Sequence, residues 1–276
     1  ELTKHHGLGN DFLVMSDSPP ALDPPALDLS ALARRWCDRR RGIGADGLLV
    51  MRPPEPDAEI AHAVRMTLYN ADGSRAEMSG NGIRCFAQAL ASRRGDVSSQ
   101  RILTDAGERL VVIEATDDPA TIMARVEMGD VSPLDEPFGW SALGCHPDRP
   151  VAHLSLGNPH SVVGVDEVAA VDLAHLGGQV PQVNLEIVEP GPESNAITMR
   201  VHERGAGITE ACGTGACAAA YAARSWGLVA RGANEVIVHM DGGTATVTFT
   251  DDAPERVVLT GPATYVATIE IEVGIA

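Results

Sequence analysis

The chain has 276 residues, 44% of them hydrophobic and 21% charged, enough apolar material for one large core or two ordinary ones. Acidic residues outnumber basic ones 38 to 21, and the formal net charge of −17 works against nucleic acid or an anionic membrane surface as a partner. The composition is not that of a disordered, collagen-like or fibrous chain.

The opening residues 1–6 lack the pattern of a signal peptide, and no apolar stretch reaches the length of a membrane span. In chain order, Leu8-Gly9-Asn10 leads into an apolar strand at 12–15. A Pro-rich loop at 19–25 precedes a helix over about 27–40, whose basic end suits a helix C-terminus. Residues 48–51 and 63–68 read as strands. Ser79-Gly80-Asn81-Gly82 then opens a run of small and apolar residues at helical spacing, a Gly-rich loop feeding a buried helix. Residues 101–104 and 109–115, joined by Asp105-Ala106-Gly107, predict a hairpin.

The second half repeats this syntax. Leu156-Gly157-Asn158 introduces a strand at 161–165, and another follows at 183–188. Cys212-Gly213-Thr214-Gly215 opens a second helix of small residues, and 235–240 with 244–250 form a second hairpin around Asp241-Gly242-Gly243. The ordered series points to an internal duplication: two similar α+β domains with a cleft between them. Their bounds are expected at 1–117 and 118–265, the junction at Asp117-Asp118-Pro119-Ala120, with 266–276 returning to the first domain.

Each Gly-rich loop sets one short side chain, Ser79 or Cys212, directly before a helix. Unpaired amides and the helix dipole there can hold a carboxylate without a Lys or a metal. The same field is expected to depress the pKa of Cys212, so that a thiolate could take a proton from the α-carbon beside a bound carboxylate. Blander readings stand beside this one. Cys in an Ala/Gly-rich run is ordinarily a buried small hydrophobe, the role expected for Cys85 and Cys217. Glu203-Arg204 could be a surface ion pair, and Asn70, Asn81, Asn158 and Asn184 could be turn or capping residues.

Other chemistries find less support. The nine histidines show no zinc spacing, the dinucleotide fingerprint lacks its third Gly and downstream acid, and there is no Gly-x-x-x-x-Gly-Lys phosphate loop. A Cys212–His pair of a hydrolase, with His160 or His202, explains none of the duplication. Cys37, Cys85, Cys145, Cys212 and Cys217 are odd in number and unclustered, which reads as thiols of a reduced, cytoplasmic protein.

Seven ordered motifs carry a resemblance: His6-Gly7-Leu8-Gly9-Asn10-Asp11-Phe12, Asn70-Ala71-Asp72-Gly73-Ser74, Gly80-Asn81-Gly82-Ile83-Arg84, Gly157-Asn158-Pro159-His160, Val183-Asn184, Glu203-Arg204-Gly205 and Ala211-Cys212-Gly213-Thr214-Gly215. From residue 6 to the end, the chain resembles the diaminopimelate epimerases. The resemblance implies two domains, each a sheet wrapped around a central helix, with the site between them. It implies a cofactor-free isomerase of lysine biosynthesis that interconverts L,L- and meso-diaminopimelate, with one thiol removing the α-proton and a second returning one on the opposite face. Its partner would be this small molecule, with no nucleic acid and no membrane, and a homodimer is compatible with it.

By motif position, the resemblance makes Cys212 one catalytic residue. Gly80, Asn81, Gly213 and Thr214 would hold the reacting carboxylate. Asn10 would orient the reacting end, and His160 would stand behind the site. Asn70, Asn158, Asn184, Glu203 and Arg204 would grip the distal amino-acid centre, with Arg204 on its carboxylate and Glu203 on its ammonium. A Gln that many members carry is replaced by Gly47.

The main departure is Ser79, where the family has its other catalytic cysteine. A thiol ionises near pH ~8.5, while a hydroxyl is far too weak an acid without a strong adjacent base. Two-base epimerisation is therefore expected to be impaired. An engineered Cys→Ser variant, a natural slow member and a one-base relative all account for Ser79. Beyond the epimerase stand another cofactor-independent amino-acid racemase, a one-base isomerase or dehydratase on the same fold, and a non-catalytic diaminopimelate-binding protein.

Overall fold

The computed structural model describes residues 1–16, 28–52, 64–230, 232–250 and 252–271. The Pro-rich loop at 19–25, Leu27, His62, Ala63 and residues 272–276 of the segment expected to return to the first domain lie outside the described residues. The α+β chain divides into two compact units, Glu1–Ala124 with Pro262–Ala276, and Arg125–Gly261.

In the first unit, strands Leu2–Gly7 and Asn10–Met15 pair antiparallel across a two-residue turn, with Leu8 at φ 57 and Gly9 at φ 81. Both positive angles suit the tight hairpin that matches strand twist, and Leu8 accepts the unfavourable conformation because its side chain is buried. Asn10–Met15 runs parallel to Gly47–Arg52, which pairs antiparallel with Val64–Asn70. Val64–Asn70 runs parallel to Gln100–Thr104, and that strand closes a hairpin with Gly107–Ala115. Residues 264–269 of the last strand, Arg256–Ile269, pair with Leu2–Gly7.

Helix α1 (Leu29–Cys37) starts at Asp28, whose carboxylate accepts the Ala31 N–H. It is shorter than the sequence suggests. Asp38 leaves helical geometry, and its carboxylate takes the backbone N–H groups of Arg40 and Arg41, each at 2.7 Å, turning the chain away. Leu29, Ala33 and Cys37 pack on Leu13, Leu48 and Val50. Helix α2 (Gly80–Arg94) is buried from Gly80 through Ala91, and Gly95 in the left-handed conformation caps its end.

The second unit repeats the pairing series. Val151–Ser155 pairs antiparallel with Pro159–Gly164, which runs parallel to Asn184–Pro190. Asn184–Pro190 pairs antiparallel with Ala196–Glu203, which runs parallel to Glu235–Met240, and that strand forms a hairpin with Gly243–Phe249. Helix α3 (Leu173–Gln179), capped by Asp172, packs in the cluster of Leu185 and Ile187 much as α1 does in its unit. Helix α4 (Gly213–Trp226) is buried and built from Ala216, Cys217, Ala218, Ala219, Ala220, Ala222 and Ala223, small enough for strands to approach on every side. Among the described residues, no helix is long and apolar enough to cross a membrane.

Candidate functional site

Each unit presents a cluster of candidate residues at the first turn of its buried helix. In the first unit Ser79 is the N-cap of α2, in extended conformation, and its Oγ accepts the Gly82 N–H at 3.0 Å. Asn81, one residue inside the helix, donates from Nδ2 to Asn10 Oδ1 at 3.1 Å. Asn10 in turn donates to Asp46 Oδ2 at 2.8 Å. The fully buried Arg84 holds this turn in place: its guanidinium donates to Gly80 O, Asn81 Oδ1 and Pro262 O at 3.0, 2.8 and 3.1 Å. Asn70 ends its strand opposite Gly47, with its side-chain amide on Ser74 Oγ at 3.0 Å.

Behind Asn10, Asp11 accepts Lys4 and Arg39, and Arg39 bridges on to Asp46. Burial works against the Asp11 carboxylate, yet the bonds from Arg39 and Lys4 outweigh it and hold its pKa below the ordinary value.

In the second unit Cys212 is the N-cap of α4, also extended, with Sγ accepting the Gly215 N–H at 3.4 Å. Thr214 Oγ1 lies 3.6 Å from that sulfur and accepts Asn158 Nδ2 at 3.2 Å. Asn158 Oδ1 meets His160 Nε2 at 3.0 Å, and His160 Nδ1 meets Glu186 Oε1 at 2.7 Å. Asn184 accepts the Arg204 backbone N–H at 2.9 Å, tying the exposed Arg204 turn to the strand beside it. Glu203 turns inward, where its half-buried carboxylate accepts Thr209 Oγ1 and the Cys212 thiol. Burial raises the pKa of Glu203 despite those bonds.

The depressed thiol expected from the helix terminus is corrected here. Burial, followed by the carboxylates of Glu203 and Glu186, pushes the Cys212 thiol well above its ordinary range, and the bonds from Thr214 and Gly215 do not offset them. The hydrolase pairing also loses its geometry. His160 commits its ring nitrogens to Glu186 and Asn158, while the His202 ring packs against Gly177, so closely that an added Cβ there would lie 2.1 Å from it.

The sequence-derived residues therefore gather within their units: Asn10, Ser79, Gly80 and Asn81 in one, Asn158, His160, Asn184, Glu203, Arg204, Cys212, Gly213 and Thr214 in the other. Phe12 aligns with Gly47 and Gly47 with Asn70; in the second unit His160 aligns with Asn184, whose neighbour Leu185 aligns with His202, next to Glu203. Sequence reasoning missed Glu186 and Asp46. The signal for Glu186 was an acid set within the apolar run Leu185, Ile187 and Val188. Among the described residues, no group of three or more His, Cys, Asp or Glu side chains is arranged to hold a metal ion.

A duplicated α+β architecture with a polar N-cap at each buried helix defines the class of protein. The diaminopimelate epimerase family model matches residues 2–134 and 153–266. A diaminopimelate epimerase of Magnetococcus marinus is 38% identical, covering 95% of this chain and 94% of its own. One from Halothermothrix orenii is 35% identical over 98% of this chain and 96% of its own. Among solved structures, a phenazine biosynthesis protein of the PhzF family from Bacillus anthracis shares the fold, with a TM-score of 0.71 at 15% identity, covering 99% of this chain and 98% of its own. The chain belongs to the diaminopimelate epimerase family, and so to the isomerases.

Proposed function

We propose that the chain binds diaminopimelate and inverts, or is built to invert, one of its α-carbons without a cofactor, and that Cys212 and Ser79 occupy the two proton-transfer positions. The observation that carries this reading is their equivalence. Each is the extended N-cap of the buried helix of its unit, and each accepts the N–H three residues on. Backbone amides at both helix starts, from Gly80, Asn81, Gly213 and Thr214, supply fixed positive dipoles for the substrate carboxylate and for the charge that develops when the α-proton leaves.

In the forward step the Cys212 thiolate takes the α-proton, and the electron pair left on carbon spreads into the carboxylate held by the amides. The thiol must first lose its own proton, and Glu203, to which it is hydrogen-bonded, is the adjacent acceptor. Return of a proton on the other face requires an acid at position 79. The Ser79 hydroxyl is too weak for this, and the full two-base reaction is accordingly slow in this chain. Asn10 orients the reacting end, His160 supports it from behind, and Asn70, Asn158, Asn184 and Arg204 serve the distal centre, while Glu203 stays at the thiol. A thiol of this kind suits a reducing, cytoplasmic setting. Deuterium incorporation into diaminopimelate tests the reading: exchange that depends on Cys212 supports it, and exchange undiminished in Cys212→Ala contradicts it.

A further inference from the structure

The two units differ at one buried place where their registers make them equivalent. In the first, Phe12 aligns with Gly47 and Val14 with Leu49; in the second, His160 aligns with Asn184 and Val162 with Glu186. Phe12 and Leu49 thus occupy the positions of His160 and Glu186, and all four are buried, Leu49, His160 and Glu186 completely. The helix turns above them agree. A Cβ added at Gly82 would lie 3.4 Å from Leu49 Cδ2, and one added at Gly215 would lie 2.6 Å from Glu186 Oε1. A buried acid–base pair is seldom more stable than well-packed apolar residues of similar volume, and the first unit shows that such residues fit this site. Stability is therefore a poor reason for the pair.

We infer that Glu186 is a positioning residue: from beneath the first turn of α4 it fixes the tautomer of His160 and, through His160 and Asn158, aims the Thr214 hydroxyl at the Cys212 sulfur. The inference rests on the reading of Cys212 as the reacting thiol. Asn158 donates its amide to Thr214, which leaves Oδ1 to accept, so His160 Nε2 must carry a hydrogen. One further proton lies between His160 Nδ1 and Glu186 Oε1. Whether it sits on nitrogen or oxygen, the pair has the same proton count and no net charge. Thr214 Oγ1, already accepting from Asn158, keeps its own hydrogen for Cys212 at 3.6 Å, where it steadies a thiolate.

The opposite tautomer would reverse the chain. Nε2 would accept, the Asn158 amide would turn over, and the Thr214 hydrogen would be drawn to Asn158 and away from the sulfur. Glu186 prevents this by offering Nδ1 a proton. Its other oxygen, Oε2, has no hydrogen-bond partner among the described residues, so no second bond at that oxygen competes for its orientation.

The test compares Glu186→Gln with Glu186→Leu in the full chain. Both remove the carboxylate charge, so the difference between them reports the hydrogen bond. The Gln amide can still donate to Nδ1, whereas Leu cannot. Nitrogen NMR of the His160 ring should show a hydrogen fixed on Nε2 in the parent and in Glu186→Gln, and a loss of that fixed hydrogen in Glu186→Leu. Cys212 should be alkylated by iodoacetamide at pH ~9 at least about threefold faster in Glu186→Gln than in Glu186→Leu, the worth of about one neutral hydrogen bond. Equal alkylation rates, or an unchanged His160 tautomer in Glu186→Leu, would overturn the inference. Should Glu186→Leu fold poorly, His160→Phe with Glu186→Leu rebuilds the apolar pair of the first unit, and its Cys212 should be alkylated more slowly than in Glu186→Gln; an equal rate would again overturn it. Neither readout needs substrate, so failure of diaminopimelate turnover would count against the proposed function and leave this result standing.

Discussion

A helix N-terminus ordinarily favours a thiolate, but at Cys212 the dipole competes with burial and two facing carboxyls, and these win. The sulfur is therefore a thiol at rest that ionises only as its proton is taken up nearby. Glu203→Gln removes one of the two charges that oppose ionisation, so the pKa of Cys212 should fall. The check is the pH dependence of its alkylation, with the midpoint moving to lower pH. Arg204→Ala should weaken diaminopimelate binding by about tenfold or more by calorimetry, because an ion-paired hydrogen bond to a carboxylate is worth about 1.5–3 kcal/mol. Unchanged affinity would remove Arg204 from the distal centre.

Each helix start is also a packing problem. Gly→Ala inside a helix ordinarily gains about 1 kcal/mol. At Gly215 the added methyl would meet Glu186 Oε1 at 2.6 Å and the Cys212 sulfur at 3.2 Å. Gly215→Ala should therefore lower the Tm and disturb the His160–Glu186 pair. At Gly82 the neighbours stand back, at 3.1 Å from Ser79 Cβ and 3.4 Å from Leu49 Cδ2, so Gly82→Ala should cost less. Thermal unfolding of the two variants decides the order. Much of this level is legible in sequence, because Gly-x-Gly before a run of small residues marks a buried helix start, and paired apolar runs around Gly turns mark the hairpins. Strands such as Ala196–Glu203 and Thr121–Asp130 were not legible. Their polar and apolar residues alternate only in part, and long-range pairing rather than local propensity holds them. The thiol's raised pKa was hidden for the same reason, since Glu186 reaches Cys212 only through the parallel pairing of two strands and the helix above them.

At the scale of the whole chain, the duplication distributes chemistry unequally. The same strand series carries Phe12, Leu49 and Ser79 in one unit, and His160, Glu186 and Cys212 in the other. The first unit keeps its ionic investment at Asp11, bound by Lys4 and Arg39. The folded pKa of Asp11 is depressed, so its contribution is fully present above the unfolded value of about 3.9 and is lost as pH falls through the lower folded value. Asp11→Asn should cost about 1–3 kcal/mol near neutral pH and progressively less as the pH falls below the unfolded value, as read from denaturant unfolding across that range. A cost independent of pH would mean that packing, rather than charge, is what Asp11 supplies.

The most direct measurement follows L,L- and meso-diaminopimelate by NMR in heavy water, with this chain and its Ser79→Cys variant side by side. Rapid α-proton exchange with interconversion of the two isomers in Ser79→Cys, and slow or absent interconversion in the parent, is the predicted result. No exchange with either protein, or equal epimerisation by both, would contradict the account of two equivalent helix caps as the proton-transfer positions.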